Sequence, residues 1–404
     1  MRESYDYVIV GAGFSGLVLA ERLGAQGHRC LVVEKRDHIG GNCHDRTDRN
    51  GLLYHVYGPH YFRTNSAAVR DYLSRFTEWR EVDYRAKVFA RDRYWSFPVN
   101  LNTYRQLTDN PGATENEFKA YLAAHALPIA NPANSKEAIL ASVGEELYDL
   151  FFRGYTAKQW GRPAEALDPS VCRRIPWRSI VDERYFTDEF QALPKHGYHR
   201  LFENLFAASG AALRLETDYR DFLPFVDYRH LIYTGPVDEY FGHCYGHLPY
   251  RTVKFNLEER RSDHLPNGLL QPALQINYPG SEAYTRTVEL KHISGQVSAY
   301  SNIVREYSEE YRAGYNDPYY PVPGKESQSL IERYRELVDQ QTHVTFIGRL
   351  AQYRYLNMDQ VVAAALHTAD KLQVEGPAPS DRKAVVSGTG GYKSALTRAV
   401  LTPA

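Results

Sequence analysis

The stretch Tyr5-Asp6-Tyr7-Val8-Ile9-Val10-Gly11-Ala12-Gly13-Phe14-Ser15-Gly16 runs from an apolar, β-branched segment straight into a glycine-rich turn. Such a run suits a strand buried on both faces, as in a parallel sheet, and a helix is predicted to follow from about Ser15 to Gly24. Within this unit Gly11 permits the tight turn, Gly13 lets the backbone approach a pyrophosphate, and Gly16 lets helix and strand pack closely. The anion then sits at the helix N-terminus, opened by Phe14 and Ser15, where amide groups lack partners. Cys30-Leu31-Val32-Val33-Glu34 reads as the second strand, with Glu34 roughly 20 residues past the glycines, where an acid accepts hydrogen bonds from ribose hydroxyls. A carboxylate there repels a 2′-phosphate, which disfavours NADP. With Gly40-Gly41-Asn42 added, the segment reads as a dinucleotide site of the flavin type.

The 404 residues allow two or three domains at about 100–200 residues each. A net charge of −1 and a pI near 7.0 exclude a strongly basic face, so no nucleic acid is expected as a partner. No apolar run of roughly 18 residues occurs, and the chain opens on a strand; a cytoplasmic protein without membrane insertion is expected. Cys30, Cys43, Cys172 and Cys244 form no CxxC pair, so they are expected to be reduced packing residues, and no metal is expected. Tyrosines number 32, clustered as in Tyr315-Asn316-Asp317-Pro318-Tyr319-Tyr320; most must pack, but a carbohydrate or nucleotide pocket would use several.

Leu231-Ile232-Tyr233-Thr234-Gly235 and Val344-Thr345-Phe346-Ile347-Gly348 repeat the pattern of a buried strand ending in glycine, which makes the nucleotide-binding domain discontinuous. Its pieces are expected at 1–78, 195–245 and 325–375. Residues 101–180 read as an inserted helical subdomain, with Val143, Leu147, Leu150 and Phe151 on one face. Alternation at Val253, Phe255 and Leu257, with turns at Pro266-Asn267-Gly268 and Pro279-Gly280, predicts an antiparallel sheet. That subdomain is assigned 79–100, 181–194 and 246–324, as the floor of a substrate site. Asn357-Met358-Asp359 starts a helix whose N-terminus faces the cofactor. Residues 376–404 read as a loosely packed tail. The fold class is α/β: a discontinuous Rossmann-like FAD-binding domain, a helical insertion and an antiparallel sheet.

Several strings then coincide: Gly40-Gly41-Asn42, Tyr57-Gly58-Pro59-His60, Gly154-Tyr155-Thr156-Ala157-Lys158-Gln159-Trp160-Gly161, Arg174-Ile175-Pro176 and Tyr353-Arg354-Tyr355-Leu356. In order and spacing, from Tyr5 to about Leu372, the chain resembles bacterial UDP-galactopyranose mutase. The resemblance implies a flavoenzyme, active when FAD is reduced, that interconverts UDP-galactopyranose and UDP-galactofuranose. In that family N5 of the reduced flavin attacks the anomeric carbon and displaces UDP; the ring opens through an iminium and recloses through O4. It also implies a homodimer and a role in cell-surface polysaccharide biosynthesis.

The resemblance matches Arg174 and Arg286 to the two diphosphate arginines, whose planar fork suits phosphate oxygens. Tyr185, Tyr320 and Tyr355 match tyrosines that offer neutral donors around the phosphates. It sets Phe151 and Tyr155 against uracil, with Thr156 beside them, and Trp160 by the sugar, although Phe151 equally completes the apolar stripe. His60 is matched beside the flavin, Arg349 after Gly348 to a flavin-contacting arginine, and Met358 to the same lobe. Lys35, Gly41, Asn42, Tyr57, Tyr355 and Asn357 complete the cofactor set.

Four positions depart from the pattern: Asn357 stands for a usual Asp, Tyr84 for a usual Asn, and Arg63 and Leu290 for usual histidines. They gather around the sugar end, so Tyr84 and Asn357 are expected to read the hexose. The alternatives are ring contraction of another nucleotide sugar, such as a GDP-hexose, or a flavin oxidoreductase of the same fold. The latter gives Arg174, Arg286 and the tyrosines no shared purpose.

Overall fold

The structure, a computed structural model, describes residues 2–173, 175–322 and 324–375. The tail expected at 376–404 therefore lies outside the described residues. A five-stranded parallel sheet runs Ala212–Arg214, Cys30–Val33, Ser4–Val10, Asp227–Tyr233, Val344–Phe346 across its width. Its strands come from distant parts of the chain, as the repeated strand-then-glycine pattern requires. Val10 registers with Val33 on one side and Tyr233 on the other, so Gly11, Glu34 and Thr234 line up just past the strand ends. Ligands of open α/β sheets bind at that edge.

The helix Phe14–Ala25 packs under this edge against Gly197–Ser209 and Met358–Glu375. Its approach to the first strand depends on Gly16: a Cβ there would stand 1.9 Å from the Gly11 carbonyl oxygen. Leu17, Leu19 and Leu23 are fully buried on its inner side.

A seven-stranded sheet follows the order Tyr320–Pro321, Tyr250–Arg261, Tyr300–Glu310, Arg286–Val288, Gln275–Asn277, Ala86–Ala90, Arg93–Phe97. It is antiparallel except where Gln275–Asn277 meets Ala86–Ala90, which pair in parallel. Those two strands belong to remote segments, so no hairpin fixes their relative direction. The expected core face at Val253, Phe255 and Leu257 is only half-buried, and Leu257 is exposed. Trp79–Glu81 and Phe190–Pro194, expected in this sheet, instead form a separate three-stranded sheet with Phe62–Thr64.

The helical insertion holds Leu101–Leu107, Glu115–His125, Ser135–Leu147 and Gly154–Trp160. Caps begin each of the first three: Asn100, Thr114 with Glu117, and Asn134. The predicted stripe is not one regular helix. The chain breaks at Gly144, with φ 82°, and continues as a π-helix over Tyr148–Arg153. Val143, Leu147, Leu150 and Phe151 nevertheless share one core with Trp95, Phe97 and Phe118. Of the cysteines, Cys30, Cys43 and Cys172 are buried, whereas Cys244 is exposed, contrary to the packing role expected for it. Among the described residues no helix is long and apolar enough to cross a membrane.

Candidate active site

Two clefts meet at the edge of the parallel sheet. The first has a volume of about 250 Å³ and is floored by the glycine turn. Gly11, Gly13, Phe14 and Ser15 line it, and no side chain caps the helix that begins after Gly13, so its first amides face the cleft. The floor is bare backbone by necessity: a Cβ on Gly11 would meet Thr234 Oγ1 at 2.1 Å, and one on Gly41 would meet the Gly13 Cα at 3.1 Å. Glu34 lies at the expected strand end, buried, accepting from the amides of Ala12 at 2.8 Å and Arg36 at 3.0 Å. A carboxylate has about four acceptor sites, so it retains capacity for a ribose. These features fit a flavin dinucleotide.

Gly348, Arg349, Met358, Asn42 and Lys35 also line this cleft. Lys35 Nζ is paired with Asp317 at 2.7 Å, and Arg36 donates to both Asp317, at 3.2 Å, and Asn42 Oδ1, at 2.9 Å. Tyr57 does not line the cleft: its ring lies under Arg36, its hydroxyl meets His38 Nε2 at 2.7 Å, and its carbonyl accepts from Tyr319 at 2.6 Å. It braces the wall from behind. Gly16 likewise sits below the floor.

The second cleft, about 430 Å³, shares His60, Tyr319, Arg349 and Met358 with the first. Anything bound in it therefore abuts the inner end of the dinucleotide cleft. Arg286 projects here from the sheet, its Nε donating to Glu306 Oε2 at 2.6 Å. Burial acts to lower its pKa, but Glu306 and the hydroxyls of Tyr155, Tyr320 and Tyr84 outweigh this and hold the guanidinium charged. Tyr185, Tyr320, Tyr355, Trp160 and Asn357 share the wall. Tyr320 and Tyr355 stack at 5.7 Å, with the Arg349 guanidinium 5.6 Å and 5.1 Å from their ring centres. Arg349 is aimed by a bond of 2.7 Å to the Leu356 carbonyl.

His60 is buried, and desolvation pushes its imidazole down to about 4, with Arg349 and Arg286 adding to the effect and the Gly58 bond opposing it. Its Nδ1 stands 2.9 Å from the Gly58 carbonyl, which only accepts, so Nδ1 carries the hydrogen and Nε2 is a free acceptor. Its backbone amide donates to His55 Nδ1 at 3.0 Å.

Three expected substrate residues are not on the cleft wall. Phe151 packs in the helical core, 5.7 Å from Trp95 and 5.8 Å from Phe97, because the π-turn carries it inward. Thr156 is buried, its Oγ1 3.8 Å from Cys172 Sγ. Tyr155 is half-buried behind the wall, where burial raises its hydroxyl pKa and nearby Arg286 opposes the rise. Arg174 lies outside the described residues.

Of the four departures, Tyr84 and Arg63 line the second cleft with Asn357. The Tyr84 hydroxyl donates to Gln275 Oε1 at 2.5 Å, and Arg63 pairs with Asp188 at 2.6 Å over the Phe186 ring. Leu290 does not belong with them: it is buried beside Gly58 and Pro59, behind the His60 loop. Glu306, Gln275 and Asp317 were missed by the sequence reading. Glu306 faces Arg286 only through strand register, which leaves no local signal, whereas Asp317 and Tyr319 sit inside the tyrosine cluster already noted.

The sequence model of the UDP-galactopyranose mutase family matches residues 150–355, and that of NAD(P)-binding Rossmann-like domains matches 9–76. A probable UDP-galactopyranose mutase of Klebsiella pneumoniae is 37% identical over 373 residues, spanning 91% of this chain and 94% of its own. The chain belongs to the UDP-galactopyranose mutase family. As a member of the UDP-galactopyranose mutase family it is an isomerase, and its Rossmann-like domain within that family implies a flavin cofactor. A dTDP-fucopyranose mutase of Escherichia coli is 31% identical, covering 90% of this chain and 97% of its own. A solved reduced UDP-galactopyranose mutase superposes with a TM-score of 0.73 at 18% identity, covering 92% of this chain and 94% of that one. A putative protoporphyrinogen oxidase from Exiguobacterium reaches 0.63 at 13% identity over 93% of this chain and 100% of its own, so the fold alone is shared with oxidases.

Proposed function

We propose that the enzyme interconverts UDP-galactopyranose and UDP-galactofuranose, with FAD in the first cleft, active when reduced. The observation that carries this reading is the Glu306-held Arg286, among tyrosines, in a cleft that joins the dinucleotide cleft through His60, Tyr319, Arg349 and Met358. A reduced flavin bound there would supply the nucleophilic N5 that displaces UDP at the anomeric carbon. With Nε given to Glu306, Arg286 keeps its remaining N–H donors for the departing diphosphate, where a charged fork is strongest. Hydroxyls of Tyr185, Tyr320 and Tyr355 add donors without charge. Arg174 is assigned the second diphosphate contact by the resemblance. Arg349 places positive charge beside the shared end of both clefts, favouring an anionic ring there. Neutral His60 offers Nε2 as an acceptor and adds no charge of its own.

An oxidoreductase of the same fold has no use for a diphosphate clamp. A second reading keeps the ring contraction but changes the sugar: Tyr84 bonded to Gln275 and Arg63 bonded to Asp188 reshape one wall, and one 31% identical relative is a dTDP-fucopyranose mutase. The purified protein is expected to be yellow and to convert UDP-galactofuranose only after dithionite reduction. A colourless protein, or turnover indifferent to reduction, overturns the proposal. Chromatography of a panel of UDP, GDP and dTDP hexoses decides between the readings: product from another nucleotide sugar but not from UDP-galactose selects the second.

A further inference from the structure

Away from both clefts, the loop between the strands Asp227–Tyr233 and Tyr250–Arg261 brings Asp238, His243 and His247 together. One donor atom from each lies within 4.8 Å of the others. His243 Nδ1 stands 3.3 Å from Asp238 Oδ2, and the two imidazole rings are 4.0 Å apart.

We propose that these three residues bind a divalent transition metal of the zinc class. Two imidazoles and one carboxylate suit zinc, whereas calcium and magnesium call for an oxygen cage. Two donors about 2.0–2.1 Å from one zinc at the tetrahedral angle stand roughly 3.3–3.4 Å apart. That is the separation already held between His243 and Asp238. His247 is exposed, so its ring can turn to close the wider gap.

The carboxylate is set up as a ligand is. Asp238 is buried, and its oxygens accept from the Leu248 amide at 2.9 Å and the Tyr250 hydroxyl at 3.0 Å, which fix its orientation from behind. His243 is held at φ 55°, a left-handed backbone that few non-glycine residues adopt. An Asp–His hydrogen bond alone accounts for one imidazole; it leaves His247 against His243 with no hydrogen-bond partner among the described residues. Three protein donors leave a fourth position for water. Pro236 and Glu239, near Asp238, line the dinucleotide cleft, but none of the three donor residues does. Cysteine spacing carries no trace of such a site.

The test uses the full chain, free of any affinity tag, stripped with a chelator and titrated with Zn²⁺ by calorimetry and Co²⁺ by visible absorption. One metal per chain is expected, with tetrahedral Co²⁺ bands. His243→Gln and His247→Gln should each weaken binding about tenfold or more while the flavin spectrum and turnover stay unchanged. Absence of binding, affinity unmoved by both substitutions, or binding lost only in Cys244→Ser overturns the assignment.

Discussion

The pair Arg286–Glu306 shows how a single side chain serves both stability and chemistry. Glu306 is 2% exposed, and its Oε1 has no hydrogen-bond partner among the described residues, so Arg286 is the chief compensation for a buried charge. Removing one partner of such a pair costs about 3–5 kcal/mol. Arg286→Ala is therefore expected to lower stability by about 3 kcal/mol in urea unfolding and to abolish turnover while the protein keeps its flavin. Adding Glu306→Gln removes the stranded charge, so the double variant should regain most of the stability and none of the turnover. Recovery of activity in the double variant would separate Arg286 from the substrate. Arg286 was singled out only through the resemblance, which matches it to a diphosphate arginine; Glu306 was not, since only the register of two strands sets it opposite. The resemblance set Phe151 against uracil, whereas the spacing of three and four put it on the apolar stripe, and it packs in that core.

At the scale of elements, the strand–turn–helix unit was legible because every local demand agreed: apolar strand, bare turn, small residues at the crossing. The helical insertion was legible as helical but not in its path. Gly144 holds φ 82°, and a Cβ there would stand 2.7 Å from the His125 carbonyl oxygen. The break lets Ser135–Leu147 bend round Glu115–His125, and periodicity does not encode such a break. Gly144→Ala should cost roughly 2–4 kcal/mol, combining left-handed strain with the contact. Ser142→Ala, two residues before it, should cost under about 1 kcal/mol. Equal urea midpoints for the two variants would show that the break is not required. The parallel pairing of Gln275–Asn277 with Ala86–Ala90 was hidden for a related reason: alternation fixes faces, while direction depends on the whole chain path.

The whole molecule has buried an unusual set of histidines, and this sets its response to acid. Burial is the main cause that pushes His44, His60 and His230 down to about 4 and His55 to about 3, from an ordinary value of 6.5. The native rings stay neutral while the unfolded chain takes up protons below about 6.5, so stability is complete above that pH and drains as pH falls toward 4. Asp45 works the other way: burial raises it to about 6, the native carboxyl protonates before the unfolded one, and its contribution grows over the same window, offsetting about one histidine. Near pH 5 unfolding should thus take up roughly three protons per chain, a slope of about 4 kcal/mol per pH unit. Urea midpoints should be flat from pH 7 to 8 and fall steeply between 6.5 and 4.5. His55→Gln should remove about one proton from that slope, because the same burial no longer opposes a charge. A flat acid limb in the parent protein, or a slope untouched by that substitution, would mean that these rings are hydrated and charged in the native state.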